Sequence, residues 1–147
     1  MPDLEKTTLV TGAAGFIGFH VSKKLLERGG RVGGLDNLNQ YYDVSLKKAR
    51  LKIIESYKNF IFYKASIQDR DPIEEIFSKP SISRICNLAA QAGVRYSLED
   101  PFPYEKSNLG GFLNILEIAR SHMATSISWP SRANAGTSAP PAIRSGW

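Results

Sequence analysis

The sequence predicts an α/β domain of the doubly wound, Rossmann type, in which helices cover both faces of a parallel sheet. Two observations predict this fold. Short β-prone runs alternate with amphipathic stretches over residues 7–119, and a glycine-rich loop joins the first of these runs to the first amphipathic stretch. About four strands can be recognised, so we expect an incomplete sheet followed by an irregular C-terminal tail.

The predicted elements follow one another in strict alternation. The strands are residues 7–11, 31–36, 60–64 and 83–89, and the helices are residues 16–28, 44–57, a segment that opens at residues 71–72, and 104–119. In the first helix, apolar residues recur at four-residue spacing from Ile17, and a glycine pair ends the helix. Gly33 and Gly34 make the second strand the weakest of these predictions, since glycine is disfavoured inside strands.

The composition changes abruptly after residue 121. Residues 122–147 are rich in Ala, Ser, Pro and Gly, contain no acidic residue and show no clear periodicity. We therefore expect a first domain of residues 1–121 and an irregular or disordered tail, with no fifth strand after Ala119. One edge of the fourth strand would then lie open, which favours aggregation and marginal stability. A shifted reading frame, a truncation or a misassembled gene would account for such a tail.

The bulk composition is that of an ordinary globular domain, with 42% hydrophobic and 22% charged residues. The net charge is +5, but the basic residues are scattered and acidic residues accompany them up to Glu117, so we expect no nucleic-acid partner. The basic residues of the second helix could form an interaction surface, but a solvated helix face is the simpler interpretation. These residues are Lys47, Lys48, Arg50 and Lys52.

The single cysteine, Cys86, lies within an apolar run and is interpreted as a buried structural thiol rather than a nucleophile. One cysteine allows no intrachain disulfide and implies no metal cluster. No stretch of about 18 apolar residues is present, and the N-terminus lacks a basic-then-apolar signal pattern, so we expect no membrane partner. The expected location is the cytoplasm.

The glycine loop, residues 11–18, has the sequence TGAAGFIG and carries the clearest chemistry in the chain. A helix N-terminus offers unpaired N–H groups and the positive end of a dipole to a pyrophosphate. Gly12 can make the tight turn out of the strand, Gly15 can let the pyrophosphate approach, and Gly18 can let the helix pack against the strand. The loop therefore predicts a dinucleotide cofactor.

Asp36 ends the second predicted strand, which is where a carboxylate can bind the ribose hydroxyls of adenosine. The same carboxylate repels a 2′-phosphate, so the sequence favours NAD over NADP. The alternative for Asp36 is a turn residue that precedes Asn37.

Three further stretches give the chain a family resemblance: residues 34–39 (GLDNLN), 41–47 (YYDVSLK) and 88–97 (LAAQAGVRYS). Together with the glycine loop, they resemble the NAD-dependent epimerase/dehydratase family of extended short-chain dehydrogenases/reductases, and within it the UDP-glucuronate 4-epimerases. The resemblance covers roughly residues 7–120. It implies tightly held NAD, a UDP-sugar substrate, conversion of UDP-glucuronate to UDP-galacturonate, and a homodimer in the full-length family.

The resemblance also implies roles for individual residues. The cofactor-binding positions are Gly12, Ala14, Gly15, Phe16, Ile17, Gly18, Asp36, Asn37, Leu88, Ala89, Ala90 and Gln91. Arg95 and Ser97 match positions near the substrate, and an arginine fork suits a sugar carboxylate because it can bind both oxygens. Asn108 matches a family asparagine in the helix after the fourth strand, although an exposed helix position would also explain it.

The sequence departs from the family at several positions. Ser66 stands where an aspartate usually binds the adenine amino group, a role in which Asp69 could help; Gly33 replaces an apolar strand residue and Asn87 a common histidine. In the family, a tyrosine accepts the proton of the sugar 4-hydroxyl, and a lysine four residues later lowers the tyrosine pKa. None of the six tyrosines here precedes a lysine at that spacing, so no catalytic residue is assigned.

Three functional interpretations remain open. The first is an epimerase-family chain, whose neighbours, the sugar-nucleotide 4,6-dehydratases and decarboxylases, share the cofactor half. The second is a non-catalytic NAD-binding module, favoured by the missing Tyr-x-x-x-Lys pair. The third is a basic interaction protein that uses the second helix.

Overall fold

The computed structural model describes residues 6–40, 43–79, 82–91, 94–124 and 126–128. The strands are β1 (Thr7–Thr11), β2 (Arg31–Asp36), β3 (Phe60–Lys64), β4 (Ile82–Asn87) and β5 (Ser126–Ser128). The helices are α1 (Phe16–Glu27), α2 (Val44–Ile54), α3 (Arg70–Ser78), α4 (Val94–Glu99), α5 (Phe102–Tyr104) and α6 (Phe112–Ser121), and a π-helical turn (Glu105–Gly111) joins α5 to α6.

The five strands form one parallel sheet in the order β3-β2-β1-β4-β5. The chain places β2 and then β3 on one side of β1, and then crosses over to place β4 and β5 on the other side. The direction of strand addition therefore reverses at β1. Such a reversal opens a crevice at the carboxyl ends of the strands, where doubly wound proteins bind their ligands. The predicted fold class is confirmed.

Two hydrophobic cores cover the two faces of the sheet. One core joins Leu9 and Leu35 to α3 and α6, with Ile73, Ile115 and Ile118 fully buried. The other joins alternate strand positions such as Val10 and Val32 to α1 and α2 and is centred on residues including Phe19, Leu26, Leu51 and Ile54. Strands that are apolar on both faces are typical of a parallel sheet sandwiched between helices.

The glycine pair of β2 turns out to help packing rather than weaken the strand. A Cβ at Gly34 would lie 2.6 Å from the Phe60 ring and 3.0 Å from Ala13 Cβ, and one at Gly33 would lie 3.2 Å from the Tyr63 ring. The missing side chains therefore leave room for two aromatic rings of the neighbouring strand. β2 pairs with β1 over residues 31–35 and with β3 over residues 32–36.

The strand count and the open edge of β4 were predicted wrongly. β5 pairs in parallel with β4 through Arg84↔Ser126, Ile85↔Ile127 and Cys86↔Ser128, and Ile127 packs against the core. Two serines flank that isoleucine, so the strand has no apolar run from which it could be recognised. Of the other residues of the expected tail, 122–124 are described, and residues 125 and 129–147 lie outside the described residues.

Candidate functional site

A cleft that is partly open to solvent lies at the carboxyl ends of the strands. It is lined by Gly12, Gly15, Leu35, Asp36, Asn37, Asn39, Lys47, Ala65, Ser66, Ile67, Leu88, Ala89, Ala90, Gln91 and Ser107. These residues come from the loops that follow four neighbouring strands, together with α2 and the π-helical turn. The cleft therefore occupies the crevice that the reversed strand order creates.

Gly12 makes the turn that leaves β1. Its φ is +69°, and a Cβ there would lie 2.9 Å from Ala89 N and 3.0 Å from the Leu88 carbonyl. An L-residue is strained at this φ, and the backbone after β4 also fills the space that its side chain would need. The turn thus brings the loops after β1 and β4 into direct contact under the cleft.

Gly18 lets α1 approach that turn closely. A Cβ at this position would overlap Gly12 O, and it would lie 2.7 Å from the Gly12 carbonyl carbon. At Gly15, a Cβ would come within 3.1 Å of Gly12 O. The three glycines therefore pack backbone against backbone, which holds the first turn of α1 at the floor of the cleft.

No side chain caps the N-terminus of α1. Its N-cap is Gly15, which has no side chain to cap the helix, and no acidic residue stands in the first turn. The first N–H groups of α1 and the positive end of its dipole are thus available to an anion of the ligand. Phe16 and Ile17 flank this turn and are 66% and 58% exposed.

Asp36 is a buried carboxylate at the end of β2. Its Oδ2 accepts a hydrogen bond from Ala14 N (3.0 Å), and its Oδ1 accepts one from Leu38 N (2.8 Å). Each carboxylate oxygen keeps a further lone pair, so Asp36 can also accept hydrogen bonds from hydroxyl groups in the cleft. The bond to Ala14 fixes the carboxylate relative to the glycine loop.

Lys47 was predicted wrongly as part of a solvated helix face. It is buried, its Nζ lies 3.9 Å from Asp36 Oδ1, and it donates to both Asn39 O (3.3 Å) and Asn39 Oδ1 (3.0 Å). The ammonium group thus partly balances the buried Asp36 charge and holds the loop after β2. The lysine points inward because it lies on the α2 face that also buries Leu51 and Ile54.

Arg50, one turn further along α2, is also drawn toward the glycine loop. Its Nη1 donates to Ala14 O (3.2 Å), and its guanidinium lies 5.8 Å from the centre of the Phe16 ring. The remaining two basic residues of the predicted face, Lys48 and Lys52, are exposed as expected.

Thr11 organises the backbone that follows β4. Its hydroxyl donates to Asn87 Oδ1 (2.6 Å) and accepts from Leu88 N (3.0 Å) and Ala89 N (3.1 Å). Asn87 is the residue that replaces a common family histidine, and here its carboxamide serves this buried contact. The Leu88–Gln91 segment is thereby fixed along one wall of the cleft.

Ser107 of the π-helical turn also lines the cleft, and its neighbour Asn108 fastens the turn to the loop after β4. Asn108 Oδ1 accepts from Gln91 N (2.8 Å) and its Nδ2 donates to Gln91 O (3.3 Å). One carboxamide thus binds both backbone polar groups of Gln91, in the loop that follows β4. Ser107 Oγ accepts from Gln68 Nε2 (2.7 Å). π-Helical turns often occur at functional sites because they rotate neighbouring side chains out of α-helical register.

The loop after β3 is fastened to the same helical segment. Asn114 Nδ2 donates to Ile67 O (3.0 Å) and Gln68 O (3.1 Å), and Gly111 packs on Ile67, where a Cβ would lie 2.6 Å from Ile67 Cγ1. The family resemblance pointed to Ser66 of this loop, which lines the cleft, and to Asp69, which is not among the lining residues. The sequence-based prediction missed Ser107, because no motif signals a residue that tertiary contacts bring to the cleft.

The predicted cofactor residues fall into two groups. Eight of the twelve line the cleft: Gly12, Gly15, Asp36, Asn37, Leu88, Ala89, Ala90 and Gln91. Ala14, Phe16, Ile17 and Gly18 build the loop and the helix start beneath it.

Arg95, which is exposed, and Ser97, which is partly buried, lie on α4 and are not among the lining residues. Their substrate role stays a prediction.

Other kinds of site find no support among the described residues. Within those ranges, no group of three or more His, Cys, Asp or Glu side chains could hold a metal ion. Burial raises the pKa of the Cys86 thiol, which keeps the thiol protonated and agrees with a structural role. No helix in the described part of the chain is long and apolar enough to cross a bilayer.

The site fits a dinucleotide. The glycine loop, where a Cβ would meet neighbouring backbone, exposes main-chain atoms to a pyrophosphate, and the uncapped N-terminus of α1 attracts its negative charge. The Asp36 carboxylate can accept hydrogen bonds from ribose hydroxyls. Fold and site together define a dinucleotide-binding domain of the Rossmann type.

Comparisons with known proteins agree with this class. A family model described as GDP-mannose 4,6 dehydratase matches residues 9–138. UDP-glucuronate 4-epimerase 4 of Arabidopsis thaliana is 50% identical over 115 residues, which make up 78% of this chain and 26% of that protein. UDP-glucuronate 4-epimerase of Thermodesulfobacterium geofontis is 49% identical over 112 residues, 76% of this chain and 35% of that protein. The chain belongs to the NAD-dependent epimerase/dehydratase family.

Solved structures show the same similarity. UDP-glucuronic acid 4-epimerase from Bacillus cereus, in complex with UDP-glucuronic acid and NAD, superposes with a TM-score of 0.70 at 32% identity, covering 78% of this chain and 36% of that one. Thermus thermophilus UDP-glucose 4-epimerase, in complex with NAD, gives a TM-score of 0.73 at 31% identity, covering 92% and 42%. NAD, the cofactor expected from the sequence, is present in both. The chain spans between 26% and 36% of the length of the first curated relatives it matches.

Proposed function

We propose that this chain is the NAD-binding part of a UDP-sugar 4-epimerase that interconverts UDP-glucuronate and UDP-galacturonate. The observation that carries the proposal is the cleft in which the glycine-lined N-terminus of α1 and the Asp36 carboxylate lie side by side. Identity near 50% to two UDP-glucuronate 4-epimerases supports the choice of sugar within the family.

The chain's own residues would hold the cofactor by its adenosine end and its pyrophosphate. Gly12, Gly15 and the α1 N–H groups receive the pyrophosphate, and Asp36 accepts hydrogen bonds from the ribose. The carboxylate also disfavours a 2′-phosphate, which supports NAD over NADP. When bound, NAD supplies the acceptor and donor of hydride at C4 of the sugar.

The substrate half of the proposal rests on resemblance. Arg95 and Ser97 on α4 follow the cleft wall formed by Leu88–Gln91, and the exposed guanidinium of Arg95 can bind a sugar carboxylate with two hydrogen bonds. No tyrosine in the sequence is followed by a lysine four residues later, so the chain lacks the group that would move the proton of the 4-hydroxyl. This absence favours a second candidate for the chain as it stands, a non-catalytic NAD-binding module.

The two candidates are separated by incubating the purified chain with NAD+ and UDP-glucuronate and analysing the nucleotide sugars by chromatography. We expect saturable NAD+ binding and no UDP-galacturonate above a protein-free blank. Measurable UDP-galacturonate would show that the chemistry is present and would exclude the non-catalytic module. A product formed from UDP-glucuronate by loss of water or of carbon dioxide would instead indicate a fragment of a 4,6-dehydratase or of a decarboxylase.

We also propose that the chain pairs with a second copy through the helical segment around the π-helical turn. Phe102, Leu109 and Leu113 are 68%, 67% and 59% exposed along this segment, and exposed apolar patches mark interaction sites. Sedimentation velocity should show a dimer that Leu109→Lys weakens. Leu46→Lys, at a residue 50% exposed on α2, is the control. A monomeric chain would contradict the proposal.

The cytoplasm remains the proposed location. A single cysteine, whose thiol has a pKa raised by burial, requires no oxidising compartment.

A further inference from the structure

The end of the cleft beyond Asp36 is built differently from the rest. In the sheet, β3 lies outside β2, so the loop that follows β3 borders the cleft on the side of Asp36 away from β1. Ala65, Ser66 and Ile67 of this loop line the cleft there, and Ser107 of the π-helical turn, joined to the loop through Gln68, closes it. If the proposed function is right and a ribose sits on Asp36, the base attached to that ribose reaches this end.

The polar side chains that line this end are two hydroxyls. Ser66 Oγ accepts from Gln68 N (3.3 Å), and Ser107 Oγ accepts from Gln68 Nε2 (2.7 Å). In both contacts the serine is the acceptor, so each hydroxyl keeps its own O–H and a further lone pair for a ligand. Among the lining residues contributed by this loop and the π-helical turn, no side chain is a carboxylate.

Asp69 is the nearest carboxylate along the chain, but it is not part of this wall. It is exposed and forms the N-cap of α3, where its side chain makes no capping hydrogen bond. Its backbone N–H donates to Ser66 O (3.1 Å), which closes a turn between the two residues, and only Ser66 lines the cleft.

Hydroxyls and carboxylates select bases differently. Adenine presents an amino donor at C6 and an acceptor at N1, whereas hypoxanthine presents a carbonyl acceptor at C6 and a donor at N1. An ionised carboxylate only accepts, so it favours the amino group and repels the carbonyl oxygen. A serine hydroxyl can rotate to donate or to accept and can serve either base.

We propose that Ser66 and Ser107 form a base subsite that accepts adenine and hypoxanthine alike, so that the chain binds nicotinamide hypoxanthine dinucleotide about as well as NAD. Ser66 is the specificity-determining position, because it lies in the cleft and on the loop that the base would meet first. A carboxylate placed at residue 66 would create the discrimination that the present pair of hydroxyls lacks.

The test compares the two oxidised dinucleotides by calorimetric titration of the full chain, with circular dichroism to verify the fold. We expect dissociation constants within about threefold of each other for the unmodified chain. In Ser66→Asp, NAD should be preferred by about tenfold or more, since a carboxylate at this partly buried position accepts from the adenine amino group and repels the hypoxanthine carbonyl oxygen. Ser66→Ala, the matched control, should weaken both ligands to a similar extent.

Each outcome supports or overturns the proposal. A preference for NAD of tenfold or more in the unmodified chain overturns the base proposal and leaves the proposed function standing. A folded Ser66→Asp variant that still binds both dinucleotides equally also overturns it. If the folded chain binds neither dinucleotide, the proposed function fails and the base proposal fails with it. The ratio of the two dissociation constants in the unmodified chain tests the proposal even if a variant does not fold.

Discussion

The glycine loop and the π-helical turn line the same cleft, but their geometry is fixed in different ways. In the loop, backbone packs on backbone, and Gly18 sits where a Cβ would overlap Gly12 O. In the π-helical turn, side chains reach across to neighbouring loops, as Asn108 does to Gln91. Steric exclusion in the first region leaves little freedom for substitution, whereas the second region can lose one hydrogen bond at a time.

The largest expected effect comes from adding a single methyl group to the loop. Gly18→Ala should lower the free energy of unfolding by about 3 kcal/mol or more, because α1 must shift away from the turn to accommodate the Cβ. Gly110→Ala in the π-helical turn is the matched control, since its Cβ would meet nothing closer than Glu105 O at 3.9 Å. Urea denaturation followed by circular dichroism measures both changes.

Gly110→Ala should be neutral or stabilising by up to about 1 kcal/mol, since alanine restricts the unfolded chain and favours helix. Equal losses of unfolding free energy in Gly18→Ala and Gly110→Ala would show that the glycine loop is no more sterically constrained than the π-helical turn.

An intermediate effect is expected at the buried lysine beneath the Asp36 carboxylate. Lys47→Met removes the donor to Asn39 and the cation 3.9 Å from Asp36 Oδ1, and it should cost about 1–3 kcal/mol of stability. The adjacent Lys48 is exposed, and Lys48→Met should stay within about 0.5 kcal/mol of the unmodified chain. Thermal and urea unfolding of the two variants, side by side, gives the comparison. A Lys47 variant as stable as the Lys48 variant would mean that the buried contact contributes nothing.

The smallest effect is expected at Asn108. Asn108→Ala removes both the acceptor of Gln91 N and the donor to Gln91 O, so stability should fall by about 1 kcal/mol. Hydrogen exchange measured by mass spectrometry should show faster exchange at Gln91 and little change at β1. Lys106→Ala, an exposed position one residue before Ser107, is the control. Unchanged exchange at Gln91 would show that the carboxamide does not hold the loop.

The same contrast explains how far the sequence alone could predict the molecule. The glycine spacing and Asp36 encode their part of the cleft locally, because each works through its own backbone position, and the loop, β1, α1 and β2 were placed correctly. Ser107 and Lys47 were missed or misread, since a serine in a helix and a lysine on a basic helix carry no signal of their own. Only the packing of α2 and of the π-helical turn against neighbouring loops brings them to the cleft.

The C-terminal strand is a second instance of the same limit. The segment Ser-Ile-Ser at β5 has one apolar residue and no periodicity, so its strand character comes from pairing with β4 and from the packing of Ile127.

We propose that the cleft holds NAD and that Asp36 binds its ribose. Calorimetric titration of NAD+ into the unmodified chain, Asp36→Asn and Asp69→Asn tests both parts of this proposal. We expect saturable one-to-one binding, weakened about tenfold or more in Asp36→Asn, because hydrogen bonds to a charged acceptor contribute about 1.5–3 kcal/mol. Asp69→Asn, at an exposed residue outside the cleft, should bind like the unmodified chain. No saturable binding by the folded chain, or equal affinity in the two variants, would contradict the account.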